Sequence, residues 1–102
     1  MSKDQAGLAA LLEASAAGVP HLLRQYLYFP SKRAAAEVAA KLRHRGFFTE
    51  ERLGADQVNW VVLARHRVIP SEEVMATTRQ LMEELAAAAG GEYDGWEADV
   101  QQ

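Results

Sequence analysis

The sequence has no cysteine, only three prolines and three histidines, and no apolar run approaching the length of a membrane span. Without thiols there can be no disulfide and no thiolate metal site, and a reducing compartment poses no difficulty. The first residues lack the basic-then-apolar order of a secretory signal, so a cytoplasmic protein is expected. The histidines, His21, His44 and His66, fall on different predicted elements, and no serine sits in a nucleophile motif such as G-x-S-x-G. No cluster of histidine and carboxylates has ligand spacing, so neither a catalytic residue nor a metal or cofactor site is expected. Two carboxylates from separate elements, such as Glu51 and Asp94, could converge only through folding.

A positive excess is missing too. The formal net charge is -3 and the pI is near 5.6, which argues against generic nucleic-acid binding, because that depends on neutralising phosphates. The charge is unevenly placed, however. Nine basic and four acidic residues lie between Arg24 and Arg67, whereas eight acidic residues and one basic one follow from Glu72 onward. This polarity suits a docking dipole, although solvated helix faces produce the same pattern. The candidate basic face is Arg33, Lys41, Arg43 and Arg45.

What is present is enough for one small domain. A chain of 102 residues can bury roughly 65% of its unfolded surface and fold without covalent staples. Asp4 is expected to cap a first helix through Ala17, with Gly18-Val19-Pro20 as its stop, so that residues 1–20 form a helix and connector ahead of a domain over 21–102. Rich in alanine and short, that helix must pack on something to persist. His21 to Phe29 reads as a strand closed by Pro30, with Arg24, Tyr26 and Tyr28 on one face and Gln25, Leu27 and Phe29 on the more core-like other face.

Ser31 is a suitable cap for a helix to about Arg45, with Gly46 just past its end. Ala35, Val38, Ala39 and Leu42 make its apolar stripe. Phe47 to Leu53 reads as a polar edge strand, Gly54 to Gln57 as a turn, and Val58 to Ala64 as a central strand containing a buried Trp60. Ser71 caps a last helix with Val74, Thr78, Leu81, Met82, Leu85 and Ala89 on one face. Gly90-Gly91 stop it and Glu92 to Val100 form the final strand. The order strand, helix, strand, strand, helix, strand is that of a ferredoxin-like α+β fold, βαββαβ, with two helices on one face of an antiparallel sheet and one additional N-terminal helix. The opposite sheet face is then open to a ligand, a nucleic acid or a partner.

Arg45-Gly46-Phe47-Phe48 echoes the aromatic signature of RNA-recognition domains, but that motif belongs on the third strand and this one joins the first helix to the second strand. The more informative stretch is Gly91-Glu92-Tyr93-Asp94-Gly95-Trp96-Glu97. Its aromatics suit a kinked edge strand lying over the last helix, with Asp94-Gly95 supplying the kink. In a functional sense, Glu92, Tyr93, Asp94, Trp96 and Glu97 could form a recognition edge of aromatic anchors ringed by charge.

This run, following an alanine- and leucine-rich helix and the Val61-Val62-Leu63-Ala64 strand, resembles the RraB family, regulators of ribonuclease E activity. Weaker agreement extends over about residues 22–100. The resemblance implies a ferredoxin-like sandwich without a catalytic centre, and a protein that binds the scaffold region of ribonuclease E or another degradosome component. No direct contact with nucleic acid or membrane is implied. Of the family's signature, Glu92, Tyr93, Asp94, Gly95 and Trp96 are matched here. The long acidic tail of the best-known member is not matched, since the sequence ends at Gln102, and a role residing in that tail would not transfer. The other reading the residues allow is a small-ligand-binding or self-associating module of unrelated role.

Overall fold

The structure is a computed structural model and describes residues 3–14 and 18–98. Its elements are α1 (Lys3–Ala14), β1 (His21–Phe29), α2 (Lys32–His44), β2 (Phe48–Leu53), β3 (Trp60–Val68), α3 (Glu72–Ala88) and β4 (Glu92–Ala98). They form an α+β protein with three helices and one four-stranded sheet in the order β2-β3-β1-β4, every neighbouring pair antiparallel.

Local chemistry accounts for the element ends. The hydroxyls of Ser31 and Ser71 accept hydrogen bonds from the Ala34 and Val74 amides, each at 3.1 Å. Caps of this kind contribute about 1 kcal/mol each. Glu72 and Glu73 stand in the first turn of α3, where the helix dipole favours negative charge. The three basic residues Lys41, Arg43 and His44 occupy the last turn of α2, where it favours positive charge. In the β2–β3 turn the Asp56 carboxylate accepts from the amides of Val58 and Asn59, both at 2.9 Å, and from the Asn59 side chain. Those donors stabilise the charged form and hold the carboxyl below its usual pKa.

Strand β1 alternates strictly. His21, Leu23, Gln25, Leu27 and Phe29 are buried, and the residues between them are half-buried. The buried set faces the helices: Leu27 and Phe29 pack with Val62 and Ala64 of β3, with Ala35, Val38, Ala39 and Leu42 of α2, and with Met82 and Ala86 of α3. A smaller cluster joins Leu8 of α1, Leu23 and Met75, with Trp96 and Val68 packed against it. All three helices therefore lie on one face, and the alanine-rich α1 acquires the partner it needs.

Several expectations shift. Helix α1 begins at Lys3, so Asp4 lies within its first turn rather than capping it; residues 15–17 of the expected helix fall outside those described. Strand β3 begins at Trp60 and runs on to Val68, because its partner β1 is nine residues long and pairs with it throughout. Trp60 is half-buried at the strand's end, with the Lys32 ammonium 5.5 Å from its ring centre, rather than being a core residue. The buried stripe of α3 is Met75, Met82 and Ala86, rotated from the expected one since α3 must face both the sheet and α1. Strand β4 is described as far as Ala98; positions 99 and 100 lie outside the described residues.

Candidate functional site

The glycine pair before β4 sets the geometry of the signature. A Cβ on Gly91 would collide with the Tyr28 carbonyl oxygen and with the Phe29 ring, so the chain can pass this close to β1 only without a side chain. Its amide reaches back to the Ala86 carbonyl at 2.8 Å, closing α3. Strand β4 then pairs with β1, Glu92 opposite Tyr28 and Tyr93 opposite Leu27, until the register slips between Tyr26 and Leu27. Asp94 is the extra residue of this bulge, and Gly95, at φ 100°, takes the positive dihedral that it requires. Beyond it, Gly95 pairs with Tyr26, Trp96 with Gln25 and Glu97 with Arg24.

The bulge divides the signature by chemistry. Tyr93 and Trp96 turn toward the helices: the Trp96 ring lies against Gly7 of α1, and the Tyr93 ring lies 5.0 Å from the Arg79 guanidinium. Glu92, Asp94 and Glu97 are exposed. Gly95 is buried within the sheet. Glu97 accepts a hydrogen bond from the Tyr26 hydroxyl at 3.2 Å and lies 3.7 Å from Arg24. Glu92 and Asp94 instead line an open cleft of about 410 Å³, together with Tyr28 and Pro30 at the end of β1, Asn59 before β3, and Gly90-Gly91. Two carboxylates, a phenol and an amide thus converge where three connections meet, in a setting suited to a cationic or hydrogen-bond-donating side chain.

Beneath the signature runs a polar chain that the sequence did not reveal. Gln25, fully buried, accepts a hydrogen bond from the Tyr93 hydroxyl, and its amide nitrogen lies 3.0 Å from Nε2 of His66. The imidazole also lies against Phe47, ring centres 4.6 Å apart. Burial disfavours the imidazolium and lowers the His66 pKa to about 4, so the ring is neutral at physiological pH and offers Nε2 as acceptor to the amide. At the start of β1, Nδ1 of the buried His21 bonds the Val19 carbonyl at 2.8 Å, and its Nε2 has no partner among the described residues.

The candidate basic residues stand elsewhere. Arg33, Lys41, Arg43 and Arg45 are exposed on or just after α2, which covers β2 and β3, whereas the signature occupies the opposite edge strand. Arg33 pairs with Glu37 at 3.4 Å, and Arg43 bonds Thr49 at 2.8 Å and Glu51 at 3.4 Å. Glu51 and Asp94 belong to opposite edges of the sheet and do not meet. Among the described residues no three histidine or carboxylate side chains gather as a metal site would need, and no helix is long and apolar enough to cross a membrane.

Compared with known families, residues 3–98 match the model of the RraB family, described as regulator of ribonuclease activity B. The chain belongs to the RraB family. The match spans nearly the whole sequence, so the family assignment covers α1 and the sheet together rather than the signature alone. No curated protein matches the chain. Membership in RraB brings with it a regulatory role toward ribonuclease activity and, with that, a partner in RNA degradation.

Tyr28 and Asn59 complete the cleft and were not among the sequence candidates. The alternation of β1 had already put Tyr28 on the face away from the core. What brings Asn59 beside it is the pairing of Trp60 with Phe29, a register that one sequence does not encode legibly.

Proposed function

We propose that this RraB protein is a non-enzymatic cytoplasmic regulator that acts by binding another protein, the scaffold region of ribonuclease E or a degradosome component associated with it. The cleft is the observation that carries this reading: Glu92 and Asp94 of the signature sit exposed at its rim with Tyr28 and Asn59, while Tyr93 and Trp96 anchor the strand from behind. A basic side chain of the partner, an arginine above all, would find two carboxylates there and a phenol ring beside them. The strand order and the three helices on one face support the ferredoxin-like description of the domain.

The basic residues Arg33, Lys41, Arg43 and Arg45 make a second, weaker contact surface in this reading, since they face away from the signature edge. The test is affinity capture of the ribonuclease E scaffold region by wild-type protein and by a variant combining Glu92→Lys with Asp94→Lys. The expected result is retention by wild type and loss of at least about tenfold in affinity for the variant, in keeping with charge reversal at a contact. Equal retention of both would rule out the cleft, and no retention of the scaffold by either would rule out the partner.

A further inference from the structure

We propose that the uncovered face of the sheet binds single-stranded RNA, through a patch that meets the cleft only at Tyr28. Because every helix packs on the other face, the outward residues of the two central strands have no covering element among the described residues. The registers of those strands place Arg24 directly opposite Arg65 and Leu22 opposite Arg67, so three guanidinium groups gather toward one end. The next rows along set Tyr26 opposite Leu63 and Tyr28 opposite Val61. Guanidinium groups in one row and aromatic faces in the next are the combination that alternating phosphates and bases require. An acidic peptide would use the arginines and leave the rings idle.

The net charge of the chain does not describe this face. Glu72, Glu73, Glu83 and Glu84, half of the acidic residues of the final third, sit on α3 on the other side of the sheet, whereas Glu50, Glu92 and Glu97 share the open face with Arg24, Arg52, Arg65 and Arg67. The ion pairs seen in the patch are weak ones. Arg65 pairs with Glu50 at 2.7 Å and Arg24 lies 3.7 Å from Glu97, in pairs whose members are partly exposed and so worth little in water. Arg67 is exposed and makes no ion pair among the described residues. Like charges placed opposite one another, as Arg24 and Arg65 are, disfavour the sheet slightly unless an anion is near. Glu97 and Glu50 stand beside Arg24 and Arg65 in the free protein, and a phosphate adds to or displaces them in the complex.

Fluorescence anisotropy with a labelled single-stranded oligoribonucleotide of mixed sequence tests this directly. Three phosphate contacts on a single strand predict a salt slope of about -2, which is roughly a twentyfold loss of affinity between about 50 and about 200 mM salt, from a dissociation constant of order 10 to 100 µM at the lower value. Arg67→Glu should weaken binding by about tenfold. Tyr26→Leu should weaken it by about fivefold or more, and Tyr26→Phe, which keeps the ring, should retain it. Arg33→Glu, on α2, should leave it unchanged.

Absence of binding at the lower salt, equal loss from Arg33→Glu and Arg67→Glu, or tighter binding of an acidic peptide than of the oligonucleotide would each overturn the assignment. Since Tyr26 and Arg67 line no part of the cleft, the outcome for their variants stands apart from the scaffold-capture test.

Discussion

The two faces of one sheet have been put to opposite uses. On the covered face, Leu23, Gln25, Leu27 and Phe29 are fully buried beneath three helices, and Gln25, which with His21 is polar, has both ends of its amide satisfied. On the open face, Val61 and Leu63 are nearly as buried, at 5% and 8% exposure, yet among the described residues no helix lies over them. Long neighbours shield them: Tyr28 and Arg52 flank Val61, and Tyr26 and Glu50 flank Leu63. One face is sealed by helices and the other only by the side chains of neighbouring strands, so stability should reside in the first and recognition in the second.

Substitutions can break that comparison, and the largest effect belongs to the covered face. Phe29→Ala should cost about 3 to 5 kcal/mol in urea unfolding, because a fully buried ring leaves a cavity that its close-packed neighbours cannot fill. A cost below about 1 kcal/mol would mean that the helix-side core is not what holds the chain together.

Gln25→Leu should come next, at about 1 to 3 kcal/mol, since it takes the Gln25 amide away from the Tyr93 hydroxyl and from Nε2 of His66 in partly buried positions. A stabilised Gln25→Leu protein would show that this polar chain is dispensable.

The same network predicts a pH dependence. His66 takes a proton near pH 4 in the folded state and near 6.5 when unfolded, so below 6.5 the unfolded chain binds the proton first. Its contribution is whole above pH 6.5 and is lost as pH falls toward 4. Allowing for the partial exposure of the ring, the loss should be about 1 kcal/mol. Unfolding curves for His66→Gln should lack that component, and an unchanged slope would place the titration elsewhere.

Smallest of all should be Phe48→Ser. Phe48 is 73% exposed on the edge strand beside Arg65, so its removal should alter stability by no more than about 0.5 kcal/mol. A larger loss would show that the open face contributes to the fold itself.

Much of the covered face was legible in the sequence. Alternation in β1 separated Gln25, Leu27 and Phe29 from Arg24, Tyr26 and Tyr28, and the spacing of Ala35, Val38, Ala39 and Leu42 identified the buried stripe of α2. Ser31, Ser71 and the stops after α2 and α3 were equally plain, since capping is local chemistry. Where several elements share one residue, the pattern failed. Helix α3 packs on the sheet and also against α1, so Met75 and Ala86 joined its buried face, while Val74 and Leu81 were left at its margins.

The candidate site was half legible. Its kink at Asp94-Gly95 and the helix-facing aromatics followed from residue type. The cleft did not, because Tyr28, Asn59 and Asp94 meet only through strand pairing. The three arginines of the patch, Arg24, Arg65 and Arg67, come from two strands separated by a helix and a hairpin, and only the β1–β3 register aligns them.

The central claim is that the signature edge, and not the basic helix, is where the protein partner docks. Amide chemical shifts of labelled protein, followed while the ribonuclease E scaffold region is added, test it most directly. The account predicts that the perturbed amides cluster at Tyr28, Asn59, Gly91, Glu92 and Asp94 around the cleft. Perturbations confined to the α2 residues Arg33, Lys41 and Arg43, with the cleft unmoved, would contradict it.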